Sequence, residues 1–375
     1  MLFSTSYHGD SKPVSAGTAS SLCRLVSVLA QQAVGLLLLF GMALGPRLVA
    51  QTPVLNEVKP IPLLTGSAGF IATLDSNEPH LGPIVTPVVL VPLGQRWLIE
   101  TRGDFESDLT QVPGQSGFHG QFQKGVDYAQ LDFIANPYIT VTVGRFLTPF
   151  NIYNERLYPV WIRDLQTDPL ILPIGIGPSN ASNGAMLRGG FKVHPTFDIN
   201  YAVYFSTLTT TEYIDSARFA GGRAGIFIPK TRLEFGGSFQ HSLQDERSNS
   251  FGFHAIWEPF ALPLEMRAEY GRSFQGSGYW GEAAYRLSQV PYFQKHLRHT
   301  QLVARLQQSF AGESPDTSLF PVDLKMFEFG VNYYVIDGLK VASSYGRQFR
   351  SDGNKNVWTL GLTYRFVFPL GNAWR

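Results

Sequence analysis

The sequence predicts an all-β fold: a transmembrane antiparallel β-barrel of about sixteen strands, with one long loop folded into its lumen. Three observations predict it. Segments of roughly ten residues alternate apolar and polar along most of the chain. Their apolar faces are dense in Phe, Tyr and Trp. The connections between them alternate between very short and long. Period-2 alternation marks a strand with two unlike faces. Lipid offers no hydrogen bonds, so a sheet that crosses it must close on itself.

The first element lies outside the barrel. Arg24 precedes the apolar run AVGLLLLFGMAL at 33–44, and small residues end at Ala50. A basic region, a short apolar run and a small residue before the cut describe a secretory signal over 1–50. The run falls short of the roughly 20 residues that a transmembrane helix needs. Residues 51–62 then form a periplasmic segment, 63–368 the barrel and 369–375 a C-terminal tail. Cys23, the only cysteine, leaves with the signal, so backbone pairing and packing alone hold the exported chain. The chain has 30 Lys+Arg against 29 Asp+Glu, and this balance gives no reason to expect nucleic acid as a partner.

The strands follow from the alternation. In FDINYAVYF, Phe197, Ile199, Tyr201, Val203 and Phe205 share one face. In MLRGGFKV, Leu187, Phe191 and Val193 oppose Arg188 and Lys192, and in RLEFGGSFQ, Leu233, Phe235 and Phe239 oppose Arg232 and Glu234. The same reading places strands near 63–72, 84–93, 95–106, 124–135, 138–146, 184–195, 197–208, 217–228, 231–242, 248–258, 262–274, 277–288, 299–310, 324–336, 338–350 and 356–368. The first two are the weakest, because Pro87 and Pro92 interrupt the second, and a barrel of fourteen is the alternative. Trp97, Trp257, Trp280 and Trp358 are assigned to the outward, aromatic face. A soluble sandwich is disfavoured, because charges sit at mid-strand on the other face, strand after strand.

The connections sort by length. Leu93–Gly94, Asn136–Pro137, Pro195–Thr196 and Asp337–Gly338 are short turns, whereas LDSNEPHLG, SDLTQVPGQSGFHGQFQ and FAGESPDTSLFP are long and polar. Short periplasmic turns opposite longer extracellular loops are the asymmetry of an outer-membrane barrel. The third long connection, 147–183, stands apart. It is too apolar for disorder, with Phe150, Tyr153, Leu157, Tyr158, Trp161 and Leu165 all needing burial. A sixteen-strand barrel leaves a lumen, and the loop is expected to pack there.

Here the residues carry a resemblance. Gly144, Phe146, Thr148-Pro149-Phe150 and Glu155 resemble the G-x-F-x-T-P-F…E stretch of the phosphate-selective porin family (porins O and P). The likeness is local, over about 138–172. It implies a sixteen-stranded, homotrimeric porin in a Gram-negative outer membrane, among outer-membrane lipids. Gly144, Phe146, Pro149 and Phe150 would anchor the loop, and Glu155 would sit at the narrowing. Such barrels commonly end in an aromatic residue read by the barrel assembly machinery. Here Phe366 and Phe368 close the last strand and PLGNAWR follows. Phosphate-selective members have strongly basic lumens. By alternation the inward faces here mix eleven basic residues, among them Arg102, Arg188, Lys192, Arg232, Arg267, Arg286 and Arg305, with ten acidic ones, among them Asp104, Glu106, Glu234, Glu269 and Glu328, so phosphate selectivity does not carry over.

Glu155, Arg156, Arg163, Asp164 and Asp168 cluster within the loop. Two readings stand. They form a constriction whose opposing charges orient polar solutes, or they form salt bridges that hold the loop on the wall. An enzyme is not expected: the His residues are scattered, and neither H-E-x-x-H nor G-x-S-x-G occurs. No cofactor or metal is implied. Residues 51–62 are too few for the plug of a gated transporter. The expected function is passive diffusion of small polar solutes or ions; the alternative is a structural, adhesin or receptor-type barrel.

Overall fold

Alternating chemistry becomes alternating geometry throughout the chain. The computed structural model describes residues 61–75, 78–111, 117–171, 180–211, 214–244, 247–311, 323–351 and 353–371. The expected signal at 1–50, most of the following segment and the end of the tail lie outside them.

Sixteen strands form: β1 (Leu63–Asp75), β2 (Glu78–Leu93), β3 (Trp97–Thr110), β4 (His119–Asn136), β5 (Ile139–Leu147), β6 (Ala181–His194), β7 (Phe197–Thr207), β8 (Phe219–Ile228), β9 (Leu233–Ser242), β10 (Asn249–Trp257), β11 (Leu264–Ser273), β12 (Gly276–Arg286), β13 (Thr300–Ala311), β14 (Leu324–Ile336), β15 (Leu339–Phe349) and β16 (Lys355–Pro369). Each pairs antiparallel with its sequence neighbours, and β1 pairs with β16 from Leu63↔Pro369 to Asp75↔Val357, which closes the barrel. Closure removes the unpaired edges that an open sheet would present. A short helix, α1 (Gln294–Leu297), lies in the connection before β13.

The count is sixteen, not fourteen, and β2 is a full strand. Its prolines are spaced so that it can be one. Residues of one parity in an antiparallel strand bond to the same neighbour. Pro79, Pro83 and Pro87 share a parity, and the carbonyl of Pro79 accepts from Gln111 beyond β3. Their missing N–H groups therefore all face β3, where the register is interrupted around 82–83 and 86–87. The ladder to β1 runs unbroken from Asp75↔Glu78 to Leu63↔Leu90, and Pro92 lies past its end. For the same reason LDSNEPHLG is not a long loop, since nearly all of it belongs to β1 and β2.

The faces sort as the alternation requires. Val203 and Phe205 of β7 are exposed outward, while Ala202 and Tyr204 are buried inside. Trp97, Trp257 and Trp358 lie on the exposed outer face, but Trp280 does not. It shares parity with Glu282 and points inward, where its indole N–H donates to Glu269 at 2.8 Å. A buried indole needs such a partner. The apolar core is likewise internal. Ile152, Tyr153, Leu157 and Ile171 of the loop cluster with Trp280, and Leu165 packs on Ala284 and Val303.

At the base of that loop, Gly144 holds φ at +120°. A Cβ there would lie 2.5 Å from the backbone oxygen of Ala129 in β4. Gly144→Val is expected to cost on the order of 1–3 kcal/mol or more through strain alone. A lower denaturant midpoint for the folded barrel in detergent checks this; an unchanged midpoint would show that β4 and β5 absorb the side chain.

Candidate functional site

The connection between β5 and β6 covers 148–180, slightly inside the expected 147–183, because both strands extend to the pair Leu147↔Ala181. Its neck is closed by hydrogen bonds. The Thr148 hydroxyl lies 2.8 Å from that of Ser182, and the Asn154 amide donates to the carbonyls of Thr148 and Asn180 at 2.9 and 2.6 Å. Phe146, Pro149 and Phe150 are buried at this neck. Asn151 then turns the chain in the left-handed region, φ +57°, which Asn tolerates better than most residues. A π-helical turn, Tyr153–Leu157, follows.

From there the loop runs inside the barrel. Backbone N–H groups of Ile152 and Tyr153 donate to one oxygen of Glu269 at 2.6 and 2.7 Å. Arg156 donates to both oxygens of Glu234 at 2.8 and 2.9 Å, a bidentate pair. Glu155 lies 2.9 Å from Arg223, and Asp164 lies 3.2 Å from Arg267. Burial pushes the Asp164 carboxyl up to about 6 against the pull of Arg267. Lys340 donates to the carbonyls of Trp161 and Arg163 at 2.9 and 2.5 Å. Arg305 donates to the Thr167 carbonyl at 2.7 Å, and the Thr167 hydroxyl donates to Glu328 at 2.5 Å. Glu234 and Lys340 are the second residues of β9 and β15, at the short-turn end. The loop therefore enters at the long-loop end and reaches the other end of the lumen.

Close packing fixes its path. Leu165 sits over Gly330 of β14, where a Cβ would come within 2.6 Å of its Cδ2, and Asn151 sits over Gly252 of β10. Larger inward residues at either position would lift the loop from the wall.

The five loop charges thus divide. Glu155, Arg156 and Asp164 face wall partners. Arg163 and Asp168 pair with each other at 2.8 Å and face a cavity of about 240 Å³ between the loop and β1–β3. Among the wall residues expected to line the lumen, Arg102, Arg267, Glu269, Arg305 and Glu328 are buried on the inner face. Arg188 reaches Asp132 at 3.5 Å. Arg286 lies 4.7 Å from the Tyr334 ring centre. Lys192 is exposed near the short-turn end of β6. Arg232 lies in the turn before β9, paired with Glu258, because the strand begins one residue later.

Alternation missed two wall acids. A bulge between Arg102 and Gly103 leaves Asp127 between two paired residues and turns it inward, 3.0 Å from Arg102. Asp108 shares the parity of Asp104 and Glu106, but SDLT reads as loop until β3 is seen to extend to Thr110. Gln166 carries no signal in the sequence beyond its place in the loop.

No family model matches the chain, that of the phosphate-selective porins included, and no curated protein matches it. Solved structures do. A Salmonella typhi OmpF complexed with daunomycin aligns at TM-score 0.54 and 11% identity over 81% of this chain and 97% of its own. Pseudomonas putida OprB aligns at 0.53 and 11% identity over 82% and 92%. An anion-selective porin from Comamonas acidovorans aligns at 0.52 and 10% identity over 81% and 98%. The chain shares with these proteins the closed sixteen-stranded antiparallel barrel.

Proposed function

We propose that the chain is an outer-membrane porin that lets small polar solutes or ions diffuse passively through a water-filled lumen narrowed by the 148–180 loop. One observation carries this reading: the described part of the loop packs mainly on β8–β16 and leaves unfilled space toward β1–β6. The loop's wall contacts run through β8, β9, β11, β13, β14 and β15. Cavities remain opposite, between the loop and β1–β3 and beside β3–β6. A loop that filled the barrel would make a plug; a loop on one side makes a narrowed channel. The outer wall, with exposed Phe, Leu and Val on strand after strand, suits a lipid environment. The barrel neighbours support an outer-membrane location, reached through the expected signal.

The local likeness to phosphate-selective porins does not extend to the wall. Arg223, Arg267, Arg305 and Lys340 are all engaged by loop groups, so they present no row of free cations to an anion. The purified protein in a planar bilayer is expected to give stepwise, ohmic currents. Complete absence of current from a correctly folded barrel would favour a structural or adhesin-type role instead.

A further inference from the structure

The inward charges are nearly balanced in sequence, yet the loop separates them in space. On the β8–β15 side it consumes cations. Arg223, Arg267 and Arg305 have side chains no more than 9% exposed, and Lys340 is 1% exposed. None of the four lines the cavities left toward β1–β6. On the opposite wall the carboxylates remain. Asp104, Glu106 and Asp108 follow one another on the inner face of β3, roughly 7 Å apart by strand geometry. Among the described residues, Asp104 and Glu106 form no ion pair, and Asp108 meets only His80, at 3.6 Å.

The guanidinium groups nearby are already committed. Arg102 is paired to Asp127 and lies 5.4 Å from the Tyr158 ring centre. Arg163 is paired to Asp168 and donates to the Tyr158 carbonyl at 2.6 Å. The cavity is therefore acidic overall.

A second feature marks the same cavity. Gln166 lines this cavity and is 6% exposed, yet neither its amide oxygen nor its amide nitrogen has a hydrogen-bond partner among the described residues. Its side chain lies along Gly361 of β16, where a Cβ would approach its Cγ at 3.1 Å. Buried amides are ordinarily satisfied. This one sits at the edge of a cavity lined by carboxylates, its amide end packed on the β16 wall. Among the described residues no group of three acidic, His or Cys side chains is arranged to hold a metal ion.

We propose that the pore is cation-selective, and that small cations pass along Asp104, Glu106 and Asp108, with Gln166 at the edge of the same cavity. This rests on the pore reading above and deepens it. Charges of one sign lining a narrow path set its preference, and low-dielectric walls focus their field.

The test is the reversal potential of the purified protein in a planar bilayer under a KCl gradient. The expected result is a reversal potential displaced toward the potassium equilibrium value. In the triple variant Asp104→Asn, Glu106→Gln, Asp108→Asn it should move most of the way to zero while current persists. Gln166→Leu, which leaves every charge in place, should reduce the displacement less. Current with a reversal potential at zero, or displaced toward chloride, in the unmodified protein would overturn cation selectivity and leave the porin reading standing. Absence of any current would overturn the porin reading and the selectivity with it. A triple variant that conducts with an unshifted reversal potential would also overturn the assignment to β3.

Discussion

Replacing residues 149–179 with a short Gly-Ser turn should raise single-channel conductance several-fold and shift ion preference toward anions. Leu147 and Ala181 are already register partners, so a short turn closes the β5–β6 hairpin without altering the barrel. The conductance rise follows from geometry, because a barrel of sixteen strands is wide enough for an open aqueous channel. The change in preference follows from charge. Without the loop, Arg223 loses Glu155 and the Asn151 carbonyl, Arg267 loses Asp164, and Lys340 loses both its carbonyl partners. These cations would then face water on the side that the loop now covers. Single-channel recording with reversal potentials reads both effects. Unchanged conductance would mean that the loop does not narrow the path.

Arg305→Met should be the most destabilising single change in the wall. Arg305 is 2% exposed. It donates to one oxygen of Glu282 at 2.9 and 2.7 Å and to the Thr167 carbonyl at 2.7 Å, and its guanidinium lies 5.6 Å from the Trp280 ring centre. Methionine would fill the volume but leave Glu282 short of charge and Thr167 without its donor. Removing one partner from a buried ion pair costs about 3–5 kcal/mol. The lower end applies, because Arg267 still stands 3.4 Å from Glu282. Denaturant unfolding in detergent measures the loss. The double variant Arg305→Met, Glu282→Gln should recover a large part of it, since no carboxylate is then left uncompensated. Equal stabilities for the parent and Arg305→Met would show that this wall pair is solvated.

Much of this fold was legible from alternation alone, because a barrel wall imposes one rule on every residue of every strand. The β6 and β7 faces follow directly from MLRGGFKV and FDINYAVYF. The failures share a cause: they depend on neighbours that a strand's own sequence does not name. The prolines of β2 argue against a strand until it is known which neighbour their missing N–H groups face. Trp280 is the exception: its parity with Glu282 in its own strand already turns it inward, and Glu269 on the adjoining strand supplies its partner. Asp127 points inward only because β4 bulges against Arg102.

The loop was legible as an internal element, since its length and its aromatic content left no other place for it. The destinations of its charges were not. Glu155 and Arg223, or Asp164 and Arg267, lie far apart in sequence and meet only through the path the loop takes. That path decides what the inward charges do. A count along the wall gives near balance, whereas the folded loop cancels one side and leaves the other acidic.

The central claim is that the 148–180 loop lies within a water-filled passage and limits it. Asp168 is its most direct reporter, because its side chain is 47% exposed and lines the cavity opposite β3. In a Cys23→Ser background, Asp168→Cys should insert and conduct. A bulky thiol-specific reagent added during recording should then cut the current of each channel in discrete steps. The same reagent on Val203→Cys, on the outer face of β7, should change nothing. Covalent labelling of Asp168→Cys with no fall in current would contradict the account, because it would place the loop away from the path that ions take.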